Sequence, residues 1–343
     1  MRKFALLAML AFSTTAFAQL PPLSLPEVSQ QASVSQTIGL TNITIDYHRP
    51  AVNGRKVWGD LVPFGEVWRA GANENTTISF STPVTVEGQK LDAGTYGLHM
   101  LPTATTWTII FNNESRAWGS YAYDAKQDAL RITVTPQPAE MQERLAFTFD
   151  DPQPNSVVAS LRWEKLRVPF RIDVDVTKTV LDNIRHELTG RTRFGSDSWN
   201  AAAGWALRNN GDLDEALAWA NQAVTMQPSF RNLRTKAAIV EKKGDTAQAE
   251  TLRARAMTVA TESDLNNFGA QLVGQKKFDE AITVLAKNAA AHPESSSTQE
   301  NLAKAYAAKG DKKSAMAAYS KAIAATTDDE QKKRLSEEMK KLQ

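Results

Sequence analysis

The sequence predicts a multidomain protein in which an all-β antiparallel sandwich is followed by an all-α solenoid of helical hairpins. Two observations carry this prediction. Between about Ser33 and Asp175, apolar residues alternate with polar ones, which is the period of strands that bury one face. After about Thr177, apolar residues recur at helical spacing, and blocks of similar sequence repeat. A chain of 343 residues is long enough for two or three domains, each with its own core.

The first 18 residues have the features of a secretory signal peptide. A positive pair, Arg2 and Lys3, precedes an apolar stretch over residues 4–12, and Ala16 and Ala18 are the small residues of a cleavage site. The apolar stretch is shorter than the roughly 20 residues that span a membrane. No later segment is long and uncharged enough to do so. We therefore expect cleavage near Ala18 and export to the periplasm or out of the cell.

Composition argues against several classes of function. The chain has 40 basic and 38 acidic residues, so it is close to neutral once Arg2 and Lys3 are removed. A nucleic-acid binder would need a basic stripe, and no run of like charges suits an anionic membrane surface. The absence of cysteine rules out disulfides and a cysteine-linked lipid anchor. We expect no nucleic-acid partner, no membrane span and no cofactor.

The first region, residues 28–176, contains about eight short segments with strand periodicity. Turn residues such as Gly54 and Gly88 separate them. No helical segment lies between them to support a parallel crossover, so the strands are predicted to pair antiparallel, in a sandwich of jelly-roll or immunoglobulin-like kind. The predicted strands lie at 43–48, 77–86, 95–101, 107–112, 130–135, 145–149, 157–163 and 168–176.

The second region begins with a linking helix predicted over 177–196, and repeats follow over 197–325. The repeats align at four alanines whose spacings are 33, 32 and 34 residues: Ala216, Ala249, Ala281 and Ala315. A small residue at this position allows two helices to cross closely, and a Gly-Asp pair turns the chain between them in three units. Residues 326–343 have the pattern of a charged cap helix with apolar positions at Leu335, Met339 and Leu342.

These repeats resemble the tetratricopeptide repeat family. The resemblance rests on the period, the aligned alanines, Gly204 and Gly269 in first helices, and Pro228 and Pro293 as unit stops. It implies about four two-helix units, and hence an all-α tetratricopeptide-repeat solenoid. It also implies a concave surface for a protein or peptide partner.

The β region resembles the secreted bacterial family called domain of unknown function 2911. The resemblance covers residues 28–176, and its most specific motifs are Leu61–Arg69, Gly71–Thr76 and Ala93–Tyr96. Members of this family often carry a tetratricopeptide tail, as this chain does. The resemblance implies a secreted domain and supplies no activity.

The stretch GEVWRAGANENTTISF, residues 65–80, places aromatic and charged residues at a turn, and two interpretations stay open. In the structural one, Trp68 fills the end of the sandwich, Arg69 donates to carbonyls or to Glu74, and Gly71 and Asn73 adopt unusual backbone angles. We favour it because a loop of about 25 residues must be anchored. In the functional one, a small polar ligand binds at Arg49, Trp68, Arg69, Asn73, Glu74 and Trp118.

Catalysis would need other residues. Without cysteine, a nucleophile reduces to serine or threonine beside one of four histidines. Asp46 and His48 share a strand face and His99 lies on another strand, so these three are a candidate metal or acid–base cluster, although surface histidines explain the pattern better. Acidic loop residues leave open an envelope hydrolase acting on carbohydrate or peptide. We expect a non-enzymatic binding or scaffold protein, with the hydrolase as the alternative.

On the repeats, the concave face is the expected binding surface. It is mixed in charge and shows no lysine and asparagine arrangement of the kind that clamps a peptide C-terminus. The array could bind a protein or peptide partner, or pack against the sandwich. The residues predicted to line the face are Trp205, Arg208, Arg231, Arg234, Asn266, Asn267, Glu300 and Lys304.

Overall fold

A computed structural model describes residues 26–342, and the predicted signal peptide lies outside them. The chain divides between Val176 and Thr177 into two compact units, a strand-rich unit and a helical unit. This confirms the predicted fold class. Within residues 26–342, no helix combines the length and the apolar character needed to cross a membrane.

The first unit is a two-layer sandwich of antiparallel strands. One sheet has the spatial order β1-β2-β3-β6-β7-β8 and the other has the order β5-β4-β10-β9. Side chains from both sheets contribute to one buried apolar cluster, which lies between the layers. The strands are β1 (Gln30–Ile38), β2 (Thr41–Arg49), β3 (Thr77–Phe80), β4 (Val84–Val86), β5 (Gln89–Leu91), β6 (Gly94–Pro102), β7 (Trp107–Asn112), β8 (Asp128–Val134), β9 (Gln137–Gln153) and β10 (Ser156–Asp173).

Alternation along the strands explains which face each one buries. In β2, Ile43, Ile45 and Tyr47 are buried, and Asn42 and Thr44 point to the other face. Ile45 pairs with Ile78 of β3, so apolar residues lie side by side across the sheet. Each fully buried side chain of this size contributes roughly 1.5–3 kcal/mol relative to exposure. Period-two burial therefore accounts for both the strands and the core.

Three of the predicted strands were wrong in extent. The segment 77–86 is divided, because β3 ends at Phe80 and β4 begins at Val84 in the other sheet. Pro83 lies in the connection, and proline lacks the N–H that a continuous ladder needs. Conversely, the segments 157–163 and 168–176 form one strand, β10, which bends at a register shift around Glu164, where φ is 53°.

The second unit consists of a leading helix, four helix pairs between Ser196 and Ala324, and a final helix. In every pair the alanine that aligned the repeats is fully buried, as close crossing of two helices requires. The helices are α1 (Val176–Glu187), α2 (Ser196–Arg208), α3 (Leu213–Met226), α4 (Phe230–Lys242), α5 (Thr246–Val259), α6 (Glu262–Gly274), α7 (Phe278–Ala291), α8 (Ser296–Lys309), α9 (Lys312–Ala324) and α10 (Asp329–Lys340).

The Gly-Asp pairs between helices have separate tasks. The aspartates Asp212, Asp245 and Asp311 cap α3, α5 and α9 by accepting hydrogen bonds from backbone N–H groups of the first turn. Gly310 adopts the left-handed conformation, with φ at 90°, that ends α8. In the first pair, however, Asn210 takes the left-handed conformation in place of the neighbouring glycine.

Close contact between α6 and α7 depends on Gly269. A Cβ atom at this position would collide with the Leu285 side chain of α7. Both residues are fully or nearly fully buried, so the contact leaves no room for relaxation. The glycine that the repeat pattern requires in this first helix therefore has a steric cause.

A buried charge fixes α10 to the array. Glu300 in α8 is nearly buried, and its two carboxylate oxygens accept hydrogen bonds of 2.7 Å from the Arg334 guanidinium of α10. Lys304 lies 2.7 Å from the same carboxylate. The hydrogen bonds from Arg334, together with Lys304, lower the pKa of Glu300 to about 2, against the effect of burial.

We predict that Glu300→Gln lowers the free energy of unfolding of the helical unit by about 1–2 kcal/mol at neutral pH, a value reduced because Arg334 is half-exposed. The folded pKa is about 2 and the ordinary value is 4.5, so the stabilisation is complete above pH 4.5 and is lost as the pH falls toward 2. Urea unfolding followed by circular dichroism at 222 nm measures the effect. Glu294→Gln, at an exposed position, is the matched control. A difference in free energy of unfolding between the wild type and Glu300→Gln that does not change with pH would contradict the prediction.

Candidate functional site

The long loop between β2 and β3, residues 50–76, is anchored by a cluster of tryptophans. Trp68 is half-buried and stacks on Trp163 with ring centroids 5.9 Å apart, and Trp58 meets Trp107 edge-on at 4.7 Å. The backbone N and O of Trp68 each form a 2.8 Å hydrogen bond with Met100 of β6. This contact network matches the structural interpretation of Trp68.

Polar groups at two of the predicted ligand residues are already bonded within the protein. The Trp68 Nε1 donates to the Gly71 carbonyl at 3.2 Å. Arg49 donates through Nε to the Leu145 carbonyl at 2.8 Å, which ties β2 to β9. Arg49 and Trp68 therefore hold the fold together at this end of the sandwich.

Arg69 contacts the second aromatic loop, residues 118–121, and forms no ion pair with Glu74. Its guanidinium carbon lies 5.8 Å from the Tyr121 ring centroid, and a Cβ at Gly119 would collide with it. Its Nε is buried and has no hydrogen-bond partner among residues 26–342. Trp118 and Tyr121 are exposed beside it. The two aromatic loops therefore adjoin, as the ligand interpretation required.

The turn itself differs from the prediction at Gly71 and agrees with it at Asn73. Ala70 and Asn73 have left-handed φ angles of 52° and 56°, and Gly71 does not. Gly71 is needed for space, because a Cβ there would lie 2.7 Å from Thr76 Oγ1 and 3.2 Å from the His48 carbonyl oxygen. The Asn73 side chain donates at 2.6 Å to Glu27, just before β1.

His48 is the centre of a group of three ionisable side chains. It is buried, and its Nε2 lies 3.1 Å from Glu27 Oε2 and 3.2 Å from Glu74 Oε2. The three residues line a cavity of about 720 Å³ together with Asp46, Asn75 and the start of β1. Asp46 lines the same cavity as His48, and the carboxylates that contact the His48 Nε2 are those of the two glutamates.

His99 lies in a different group. Its Nδ1 is 2.8 Å from Ser120 Oγ, and its ring meets Tyr123 edge-on with centroids 5.3 Å apart. Burial lowers the pKa of His99 to about 4, with a smaller opposing effect of Asp128. The structure therefore does not gather Asp46, His48 and His99 into one cluster, because each histidine faces partners that strand periodicity alone does not indicate.

On the repeats, three consecutive first helices, α2, α4 and α6, line a groove of about 560 Å³. Three predicted cations meet there, Arg208, Arg231 and Arg234, and we call this surface the arginine groove. The predicted Asn267 also lines it. Within the described chain, none of the three arginines forms an ion pair. The groove is therefore rich in uncompensated positive charge.

Aromatic rings form part of the arginine groove. The Arg234 guanidinium carbon lies 3.6 Å from the Phe268 ring centroid and 5.4 Å from that of Phe230. Burial lowers the pKa of Arg234, and the charge of Arg253 acts in the same direction. Asp264 is the acidic lining residue, and its Oδ2 accepts hydrogen bonds from the backbone N–H and hydroxyl of Thr261.

The other residues predicted on this face are occupied. Trp205 packs against the apolar cluster that residues of α1 to α4 form. Asn266 is buried, and its side chain donates a hydrogen bond to Ser297 and accepts one from Asn288. Lys304 forms an ion pair with Glu300. Asn266 and Asn267 also line a smaller cavity of about 500 Å³, whereas the arginine groove is the cavity that gathers the predicted arginines.

Three residues of these sites were missed by the sequence analysis. Glu27 precedes β1, and only the pairing of Gln31 with His48 brings it close to the histidine. Ser120 lies two residues after Trp118, and no pattern in the sequence pairs it with His99. Phe268 follows Asn267 directly, and its aromatic side chain next to a predicted face residue was a signal that could have identified it.

We predict that acid destabilises the sandwich through His99. The folded pKa is about 4 and the ordinary value is 6.5, so stability is complete above pH 6.5 and is lost as the pH falls toward 4, by about 3 kcal/mol at most. His99→Gln keeps a side chain that can form a hydrogen bond with Ser120 but does not titrate. The free energy of unfolding of this variant should therefore fall less than that of the wild type between pH 6.5 and pH 4. Urea unfolding followed by tryptophan fluorescence measures both. Ser120→Ala leaves His99 in place, so its free energy of unfolding should change with pH as that of the wild type does. If the free energies of unfolding of the wild type and of His99→Gln changed equally with pH, the mechanism would be ruled out.

Comparison with known families assigns each unit separately. Residues 29–172 match the family described as protein of unknown function DUF2911. Residues 197–230 and 269–330 match tetratricopeptide repeat families. A search of curated proteins found no significant match.

Several solved structures share weak similarity with the repeats. Pseudomonas aeruginosa PilF is 21% identical over 43% of this chain and 68% of its own, with a TM-score of 0.27. MamA from Desulfovibrio magneticus RS-1 is 18% identical over 45% of this chain and 94% of its own, with a TM-score of 0.26. YrrB, described as a tetratricopeptide protein with an unusual peptide-binding site, is 15% identical over 45% of this chain and 97% of its own, with a TM-score of 0.21. No conclusion about this chain follows from similarity this low.

The family matches agree with the two resemblances drawn from sequence motifs and with the two units of the fold. They also agree with the buried alanines and capped turns of the helical unit. The chain therefore combines a region that matches the DUF2911 family, residues 29–172, with later segments that match tetratricopeptide repeats.

Proposed function

We propose that this chain is an exported, non-enzymatic scaffold whose repeats bind an acidic segment of a protein partner. Tetratricopeptide repeats support a protein-binding role. The proposal of an acidic ligand rests on the arginine groove, where three arginines that have no acidic partner among residues 26–342 line one surface.

The groove suits carboxylates for a physical reason. The groove contains three positive charges, those of Arg208, Arg231 and Arg234. Asp264, the acidic residue of its lining as far as the described part of the chain shows, accepts hydrogen bonds at the start of α6. The stacking of Arg234 on Phe268 holds its guanidinium plane in place before a ligand arrives, which reduces the entropy lost on binding. Guanidinium groups also bind carboxylates in a two-point geometry. An acidic peptide with some apolar residues is the complementary ligand.

We predict that a fluorescein-labelled peptide alternating glutamate with leucine binds the full chain, and that its lysine counterpart does not. Arg231→Gln combined with Arg234→Gln should weaken binding of the glutamate peptide at least tenfold, about 1.4 kcal/mol or more, because two desolvated ion pairs are lost. Fluorescence anisotropy titration measures this, and affinity should fall between low and high salt.

The matched control is Arg255→Gln, because Arg255 is an exposed arginine of the second helix α5 and does not line the groove. It should bind the glutamate peptide as the wild type does. Equal binding of both peptides, or equal loss in the control and the groove variants, would contradict the proposal.

Export is supported by the sequence of the first 18 residues, with its positive start, apolar stretch and small residues before Gln19. We predict that chain expressed in a bacterium is recovered from the envelope or medium with Gln19 as its first residue, as read by intact mass and N-terminal sequencing. Ala18→Trp should leave the leader attached, since a bulky residue does not fit the cleavage site, whereas the control Phe17→Leu should not. Recovery of uncleaved chain in the cytoplasm would refute export.

Two other functions have narrower support. A small polar ligand at the sandwich loops would meet Arg69, Trp118 and Tyr121, the residues there that remain exposed or unpartnered. The hydrolase alternative is favoured by one contact, between Ser120 and His99. The nearby Asp128 carboxylate accepts hydrogen bonds from Asn112 and Tyr123 and not from His99, so the arrangement lacks the third member of a serine triad. We therefore retain binding as the proposed function.

A further inference from the structure

We propose that Glu27, His48 and Glu74 form a binding site for a divalent transition-metal ion, with Zn²⁺ as the best fit. The site lies on the sandwich, where β1 begins and β2 ends, beside the loop that leads into β3. It is separate from the arginine groove and does not depend on the proposed peptide binding.

The donor geometry is that of adjacent metal ligands. Ligand atoms about 2.0–2.2 Å from one ion lie roughly 3.0–3.6 Å apart at octahedral or tetrahedral angles. The His48 Nε2 is 3.1 Å from Glu27 Oε2 and 3.2 Å from Glu74 Oε2, and all three donor atoms lie within 4.8 Å of one another. Only small movements of two half-exposed glutamates would place an ion between them.

Electrostatics favours a cation at this position. Two carboxylates point at a single imidazole nitrogen, which can donate at most one N–H, so an ion between them would satisfy both. The cavity is also lined by Asp46, and as described over residues 26–342 its lining contains neither lysine nor arginine. A cavity with three acidic residues and no fixed cation attracts a divalent ion.

Supporting groups are also in place. Asn73 donates to Glu27 Oε2 at 2.6 Å and to the Ser29 carbonyl at 3.2 Å, which orients the carboxylate as an outer-shell partner does. A separate observation is Asn75, which lines the same cavity and is only 8% exposed. Its Oδ1 is buried and accepts no hydrogen bond from any residue that the structure describes. An unsatisfied oxygen of this kind calls for an electropositive partner nearby.

The donor set selects the class of ion. Imidazole nitrogen suits zinc and its neighbours in the first transition series, whereas Mg²⁺ and Ca²⁺ prefer all-oxygen sites with more ligands. One nitrogen with two carboxylates therefore favours Zn²⁺ over the alkaline-earth ions. With three protein ligands, the site would leave room for water or a ligand atom on the ion.

The test is equilibrium binding of Zn²⁺ to the full chain, purified without a histidine tag, by competition with a chromophoric chelator. We expect one zinc ion per chain and a rise in the melting temperature of the sandwich. Glu74→Gln and Glu27→Gln should each weaken binding at least tenfold. Both side chains are half-exposed, so these variants should fold, and thermal melting without metal checks this.

Matched controls separate a built site from unspecific binding. Glu66→Gln removes an exposed acid from the same loop, and His186→Asn removes an exposed histidine from a helix, so both should bind zinc as the wild type does. His48→Gln should abolish binding. The assignment would be overturned if the wild type bound no zinc, or if the two glutamate variants bound zinc as tightly as the wild type does. Binding of Mg²⁺ or Ca²⁺ as tightly as Zn²⁺ would also overturn it.

Discussion

The packing of four tryptophans at one end of the sandwich is the constraint on which the arrangement of its loops depends. Trp58 and Trp68 come from the long loop, and they pack on Trp107 and Trp163 of the two facing sheets. A loop of this length has many conformations available, and burying its aromatic residues offsets the entropy of fixing one of them. The same loop carries Glu74, whose Oε2 lies 3.2 Å from His48 Nε2.

Patterns that depend on neighbouring residues were predictable from the sequence. Alternation of Ile43, Ile45 and Tyr47 marks a half-buried strand wherever that strand lies, and the aligned alanines mark helix crossings because each repeat packs mainly on the next. The predicted limits of strands were wrong where a single residue or a bulge determined where a strand ends. Pro83 divides one predicted strand between sheets, and the bend at Glu164 joins two others.

The sites were harder to predict because they combine residues that are far apart along the chain. Three predicted arginines do meet in the groove, since the first helices of consecutive repeats line one face of the array. The partners of His48 depend on the pairing of β1 with β2 and on the loop conformation. Asp46 and His48 share a strand face, but no local rule states that a glutamate preceding β1 reaches the same nitrogen. Strand pairing, and not residue type, was the missing information.

The way α10 closes the helical unit limits how the array can grow. Leu335 is fully buried in the last apolar cluster, where the first helix of a further repeat would otherwise pack, and Met339 and Leu342 extend the same contact. The outward surface of this helix is mostly charged, with acidic and basic residues interspersed. A solenoid that ends in an open apolar face invites head-to-tail stacking of copies into filaments. Here that face is covered by the chain itself, so polymerisation through this end is disfavoured.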